Sequence, residues 1–284
     1  QTIKNAKAMA DRLTERGLRI AYGGTNSHLL NIDCRPIQAP DGTTLSGDRA
    51  VRILDLVGIV ANRNTMPGDL AANDPSGVRI GTPWITQRGF DEEKSCQLAD
   101  IIADVLLAAA PHRIDTPNPK RVKRRAKVDF NVLEESRLKV RALAESAGVD
   151  FEPTKHGYPH FFYIDDKSSG VFEIYGFRVR QFLNYVLASD ISALQPGQSQ
   201  PTQLFTPRGV VKGTLTCVDL THFRLSVPPE QAGLTAAWLR GHSDGYTSLN
   251  LDGTPDYTPR HIPGLVIVAE STEKAVSAEG RRPP

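Results

Sequence analysis

From Pro111 to Val128 the sequence reads PHRIDTPNPKRVKRRAKV, and this stretch limits more than any other what the chain can fold into. It carries three prolines and then six basic residues within the eight positions Lys120 to Lys127. Prolines remove backbone donors and clustered charges resist burial, so the segment predicts a linker. The chain then divides into residues 1–110, a Pro/basic linker at 111–128 and residues 129–284. A length of 284 residues has room for about two domains, and 39% hydrophobic residues can fill their cores. A basic run can also bind nucleic acid, but no aromatic residues are interleaved with this one and the net charge is only +2. Both facts argue for a solvated connector.

No apolar run approaches the roughly 20 residues of a membrane helix, and no signal peptide pattern opens the chain. The three cysteines, Cys34, Cys96 and Cys217, are odd in number and far apart. That spacing argues against a disulfide framework and a zinc site and makes a reducing cytoplasmic compartment the default. His156 and His160 stand four apart, but Gly157 and Pro159 deny them the helix that would bring both to one metal. No metal ligands are expected.

The first region reads as helix, strand, helix, strand, strand, helix. Ile3, Ala6, Met9, Ala10 and Leu13 make a helical stripe that ends at Gly17. The pattern is already running at the first residue and there is no initiator Met, so the chain is expected to be the downstream piece of something longer. Strands are expected in "LRIAYGG", "HLLNIDC" and "GIVANRN", the last before a Pro-Gly-Asp turn at 67–69. Ser46 is a plausible N-cap for a helix with Ala50, Leu54 and Val57 on one side. In "SGVRIGTPWITQRG", Val78, Ile80, Trp84 and Ile85 read as one strand. An acidic first turn then opens a helix with Leu98, Ile101, Ile102, Val105 and Leu106 inward. Helices covering a small sheet make this an α/β or α+β layer.

Within that strand Arg79 is out of character. A guanidinium is costly to bury alone, so it needs a partner: an internal carboxylate, or the carboxylate of a bound amino acid gripped by its planar fork. The surrounding residues bear on the choice. "NAKAMADRLTERGLRIAYGGTNSHLL", "VANRNTMPGD" and "SGVRIGTPWITQRGF", in this order, resemble the C-terminal domain of serine hydroxymethyltransferase, also called glycine hydroxymethyltransferase, across residues 1 to about 110.

The resemblance implies the small domain of a fold-type I pyridoxal phosphate enzyme that interconverts serine and glycine and passes a one-carbon unit to tetrahydrofolate. It implies that Arg79 binds the substrate carboxylate and that Asn64 contacts the pterin of the folate, an edge that an amide can read with both donors and an acceptor. His28 and Arg88 also have counterparts in the family; we read the first as a packed or hydrogen-bonded residue and the second as structural or surface. "LAANDPSG" departs from the family's loop after the turn, so that part of a folate site is not carried over. The Schiff-base lysine, the phosphate loop and the residue stacking on the cofactor belong to the family's upstream large domain. No catalytic residue is therefore expected in this chain, which alone should be inert. The family is typically dimeric, so the intact protein is expected to be a homodimer.

Beyond the linker a polar helix is expected from Leu133 to Ala147, followed by an α+β pattern. "GVFEIYG" reads as a strand, Val179, Phe182, Leu183, Val186 and Leu187 as an amphipathic helix, "LFTPRGVVKGTLTCVDL" and "HFRLSVP" as a hairpin pair, and "AGLTAAWLRGHS" as a helix. Residues 158 to 270 resemble part of the folate-binding domain of aminomethyltransferase, the T-protein of the glycine cleavage system. Where that family usually carries an acidic pair, this chain has Lys212 and Gly213, and a cation cannot accept a proton as a carboxylate does. Two readings follow: an enzyme joining a hydroxymethyltransferase to a T-protein-like module, or a folate-binding regulatory or scaffolding protein without turnover. Asp190 resembles a family position but is read as a helix C-terminal turn.

Overall fold

The computed structural model describes residues 1–70, 72–114, 123–149, 169–259 and 266–271. His156 and His160 lie outside the described residues. The chain forms two compact units, Gln1–His160 with Tyr246–Pro259, and Phe161–Gly245 with Arg260–Pro284.

The first unit is built on a four-stranded antiparallel sheet. Its strands are β1 (Arg19–Ile20), β2 (Leu29–Asp33), β3 (Asn62–Asn64) and β4 (Gly77–Gly81), in the order β1-β2-β4-β3. Period-two alternation turns Ile20, Leu30, Ile32, Val78 and Ile80 into the core. That core is completed by α1 (Thr2–Glu15), α2 (Gly47–Leu56) and α4 (Glu92–Leu107), while a short α3 (Pro83–Gln87) follows β4 without burying a side chain. The stripe Ala6, Met9, Ala10 and Leu13 of α1 is buried as its spacing predicts, but Ile3 is 55% exposed. Its expected place is taken by Asn5, fully buried because its Nδ2 donates to Thr86 Oγ1 (2.9 Å) and the Phe90 carbonyl (2.8 Å). Ser46 caps α2 by accepting from the Arg49 N–H, and Asp91 caps α4 by accepting from the Lys94 N–H.

Two expectations fail here for physical reasons. The apolar run after Arg79 is not one strand: β4 stops at Gly81 and Pro83 opens α3, where its fixed φ and missing donor suit a first helical turn. Trp84 consequently stands 72% exposed on that helix. Nor is 111–128 a linker through its described parts. Strands β5 (Ala110–Ile114) and β6 (Lys123–Lys127) pair antiparallel within the first unit, and Val128 bridges to Thr247. Helix α5 (Phe130–Ser146) then packs Leu133 and Val140 into the same core. The boundary expected at 110–128 therefore falls inside the first unit, which also takes in Tyr246–Pro259.

The second unit is a five-stranded antiparallel sheet. It contains β7 (Val171–Tyr175), β8 (Ser199–Thr206), β9 (Gly209–Asp219), β10 (His222–Ser226) and β11 (Ile267–Glu270), ordered β11-β7-β10-β9-β8. Phe172, Ile174, Leu204, Leu215, Cys217, Phe223 and Leu225 form its buried face. Helices α6 (Val179–Val186) and α7 (Ala232–Asp244) bury Phe182, Leu183, Trp238 and Leu239, and Arg180 of α6 lies over the Phe223 ring at 5.0 Å. The predicted strand and helix pattern of this region holds, with α+β character.

Candidate functional site

The first sheet has a core face and an open face, and register decides what the open face carries. Arg79 pairs with Asn31 of β2 on one side and Asn62 of β3 on the other. Cross-strand partners project to the same side, so Asn31, Arg79 and Asn62 form one transverse polar row. The adjacent row is Arg19, Asp33, Gly77 and Asn64. Both residues singled out in the sequence, Arg79 and Asn64, thus share one face on neighbouring rows.

Arg79 is not buried in its strand, so it needs no internal carboxylate. Alternation that buries Val78 and Ile80 leaves Arg79 exposed, and its guanidinium makes no ion pair or side-chain hydrogen bond among the described residues. The carboxylate in the adjacent row is already taken. Asp33 is almost fully buried and accepts from Arg19 Nη2 (2.6 Å), Arg35 Nε (2.9 Å) and Arg35 Nη2 (2.6 Å). Burial pushes the Asp33 carboxyl up, yet the hydrogen bonds from Arg35 and Arg19 outweigh it and hold the group below its ordinary value. Asp33 therefore stays ionised and saturated, and the planar fork of Arg79 remains free for an anion from outside.

Asn64 is held by a stapled turn. Asp69 Oδ2 accepts from the Met66 N–H (2.8 Å) and the Ser76 N–H (2.9 Å), and its Oδ1 from Ser76 Oγ (2.6 Å). Arg35 Nη1 donates to the Pro67 carbonyl at 2.9 Å, which ties the same turn to Asp33. Asn64 Nδ2 donates to the Thr65 carbonyl at 3.1 Å, leaving the half-buried amide's oxygen directed to no protein donor among the described residues. The arrangement offers a free cationic fork and an amide acceptor on one sheet face, with no competing carboxylate left unpaired in its two rows.

The other residues read from sequence are not members of these two rows. His28 and Arg88 are exposed, and His28 contributes its backbone carbonyl to Thr82. Asp190 accepts from the Ser192 N–H in a surface turn. Cys34 is buried, and burial first, then the Asp33 charge, pushes its thiol up to about 12, so it is inert as a nucleophile. In the second unit Lys212 and Gly213 line an open cavity of about 350 Å³ with Ala188, Ser189 and Thr202. The residue that sequence reasoning missed is Asn31. Its signal was the same as that of Arg79, a polar side chain between Leu30 and Ile32, but only the register sets the two side by side.

Comparison with known proteins bears on the first unit. Residues 1–102 match the profile of the serine hydroxymethyltransferase family. A serine hydroxymethyltransferase from Caenorhabditis briggsae is 47% identical over 102 residues, which cover 36% of this chain and 19% of that protein. One from Natronomonas pharaonis is 40% identical over 146 residues, 51% of this chain and 29% of that protein. A probable cytosolic serine hydroxymethyltransferase from Schizosaccharomyces pombe is 38% identical over 117 residues, 41% of this chain and 24% of that protein. The chain thus spans less than a third of the length of these relatives.

Proposed function

We propose that residues 1–110 act as the small domain of a serine hydroxymethyltransferase, with Arg79 receiving the carboxylate of serine or glycine and Asn64 contacting the pterin of tetrahydrofolate. The observation that carries this reading is the unpaired, outward guanidinium of Arg79, presented beside a carboxylate that two other arginines already satisfy. Among the described residues no helix is long and apolar enough to cross a membrane. We take the protein to be cytoplasmic from its three widely separated cysteines, and homodimeric from the resemblance.

Pyridoxal phosphate is the cofactor this activity calls for, as an electron sink for the carbanion formed at the amino acid. The described residues do not fit it. Lys127 is the one buried lysine among them, and its ammonium is tied to Asp256 at 2.7 Å, so it is not available to a carbonyl. On this reading the cofactor and its lysine lie outside the described residues, which by themselves do not carry out the reaction. What this chain's own residues do is bind and orient: the Arg79 fork fixes the amino-acid carboxylate, and the Asp69 staple holds the Asn64 amide in place.

Arg79→Lys tests the reading. In the complete polypeptide carrying these residues it is expected to weaken serine and glycine binding by roughly tenfold or more, because a point charge cannot reproduce two parallel hydrogen bonds. The melting temperature should stay within about 1 °C, since an exposed residue without partners contributes little to stability. Unchanged amino-acid affinity would sink the assignment.

For residues 129–284 the T-protein-like, folate-binding reading is supported by the open cavity beside Lys212 and Gly213. Gly213 cannot carry a side chain there, because a Cβ would lie 2.5 Å from the Ser226 carbonyl oxygen. Calorimetric titration of a reduced folate into the Asn64→Ala chain, which removes the proposed contact in the first unit, is expected to give saturable heat. A flat titration leaves the second unit a structural role.

A further inference from the structure

The open face of the first sheet holds two unmet needs in directly opposed positions. Asn31 is paired in register with Arg79, and its Oδ1 is buried without a hydrogen-bond donor among the described residues. Leaving a buried acceptor unpaired is costly, and the opposed side chain is the best donor a protein has. Directly opposed residues in an antiparallel pair have Cβ atoms only about 4.5–5.5 Å apart, well within the reach of a long side chain. Asn62, the other neighbour of Arg79, is exposed on the edge strand and has no buried unpaired atom.

Stoichiometry allows both tasks at once. A guanidinium has five N–H donors, and gripping a carboxylate through two parallel bonds leaves three. One of these reaches Asn31 Oδ1 after a turn of the Arg79 side chain, which makes no such bond in the structure, while the outward pair stays free. Such a bond would hold the fork at a fixed angle, so that less side-chain entropy is lost when the carboxylate arrives. A neutral amide suits this better than a carboxylate, which would hold the guanidinium equally well but cancel the charge the ligand needs.

We propose that Asn31 is the positioning residue of Arg79: its Oδ1 accepts one guanidinium N–H and aims the rest of the fork outward at the amino-acid carboxylate. This rests on the reading of Arg79 as the carboxylate receptor, and the experiment separates the two.

The first measurement uses the 284-residue chain, labelled with 15N, with the Arg79 Nε–Hε resonance assigned by its loss in Arg79→Lys. Rotation about the Arg79 Nε–Cζ bond is expected to be hindered in the wild type and in Asn31→Asp. In Asn31→Leu it should be as free as at the exposed Arg88, while Asn62→Leu leaves it unchanged. Asn31→Leu should at the same time change the melting temperature by no more than about 2 °C, because it exchanges one ordinary hydrogen bond for apolar burial in a strand. A residue with only a packing role would move stability and not the Arg79 resonance.

The second measurement uses the complete polypeptide. Asn31→Leu is expected to raise the KM for serine about three- to tenfold, the worth of one ordinary hydrogen bond, with kcat within about twofold. Asn31→Asp should raise it as well, through charge cancellation. Free rotation of Arg79 in the wild type, or wild-type KM in Asn31→Leu alongside an impaired Arg79→Lys, overturns the positioning role alone. Wild-type KM in Arg79→Lys overturns the carboxylate reading and this inference with it.

Discussion

Lys127→Met is expected to destabilise the first unit by about 3–5 kcal/mol, the cost of leaving one member of a buried ion pair without the other. Lys127 and Asp256 are 4% and 9% exposed and meet at 2.7 Å, across 129 positions of sequence. Removing the ammonium leaves a carboxylate in a site too dry to solvate it. The pH dependence should change as well. In the wild type, burial pushes the Asp256 carboxyl up, but bonds from Lys127 and from the Thr258 N–H and hydroxyl outweigh it and hold the group below the ordinary range. The stabilisation from a lowered carboxylate is present above its unfolded pKa of about 3.9 and is lost as pH falls through the lower folded value. In Lys127→Met the ammonium's hydrogen bond and charge are lost while the burial remains, so the folded value should move up. The acid-side loss of stability should therefore be smaller in that variant than in the wild type. Thermal melts of both proteins across the acid range check the claim. A Lys127→Met melt matching the wild type at pH 7 would rule the buried pair out as a stabilising contact, and Lys127→Met/Asp256→Leu should recover much of the loss.

The same pair explains why the hairpin β5–β6 was illegible in the sequence. Prolines and a run of lysines and arginines describe a solvated connector when only local chemistry is considered. What overrides it is distant: Asp256 accepts Lys127, Thr43 Oγ1 accepts from Arg113, and Thr44 Oγ1 from Arg124. Each partner lies 70 or more residues away, and no periodicity encodes that. Features carried by local chemistry were legible. The stripes of α1 and α4, the Ser46 cap and the α+β alternation of the second region all follow from spacing and capping rules that need no tertiary context.

The candidate site was legible in part for the same reason. Arg79 breaks an apolar pattern, so it could be picked out, and the resemblance of its neighbours gave it a role. Its exposure follows from the alternation of Val78, Arg79 and Ile80, which was obscured by taking the apolar run through to Trp84 as one strand, whereas Pro83 starts a helix. Asn31 breaks its strand in the same manner, yet nothing in sequence pairs position 31 with position 79; that is a fact of register.

Gly47→Ala is expected to be the most damaging single-methyl change near the site. Gly47 opens α2 against β4, with its N–H donating to the Pro75 carbonyl at 2.8 Å. A Cβ there would stand 2.1 Å from the Gly77 carbonyl oxygen and 2.9 Å from its carbon, and both obstacles are backbone, which cannot swing aside as a side chain would. Either α2 retreats or β4 bends, and the cost should reach on the order of 3 kcal/mol, the upper part of the overpacking range. Gly17→Ala separates this effect from simple backbone strain. Gly17 has φ of +92° but open space where its Cβ would be, so only the left-handed conformation is penalised, by about 1 kcal/mol. Gly47→Ala should therefore lower the melting temperature of the first unit by a clear multiple of the Gly17→Ala shift. Because β4 carries Arg79 two residues beyond Gly77, it should also displace the Arg79 Nε resonance, which Gly17→Ala leaves in place. Equal melting shifts in the two variants would show that the helix and strand have slack between them, and that the approach of Gly47 to Gly77 does not set where the Arg79 fork is held.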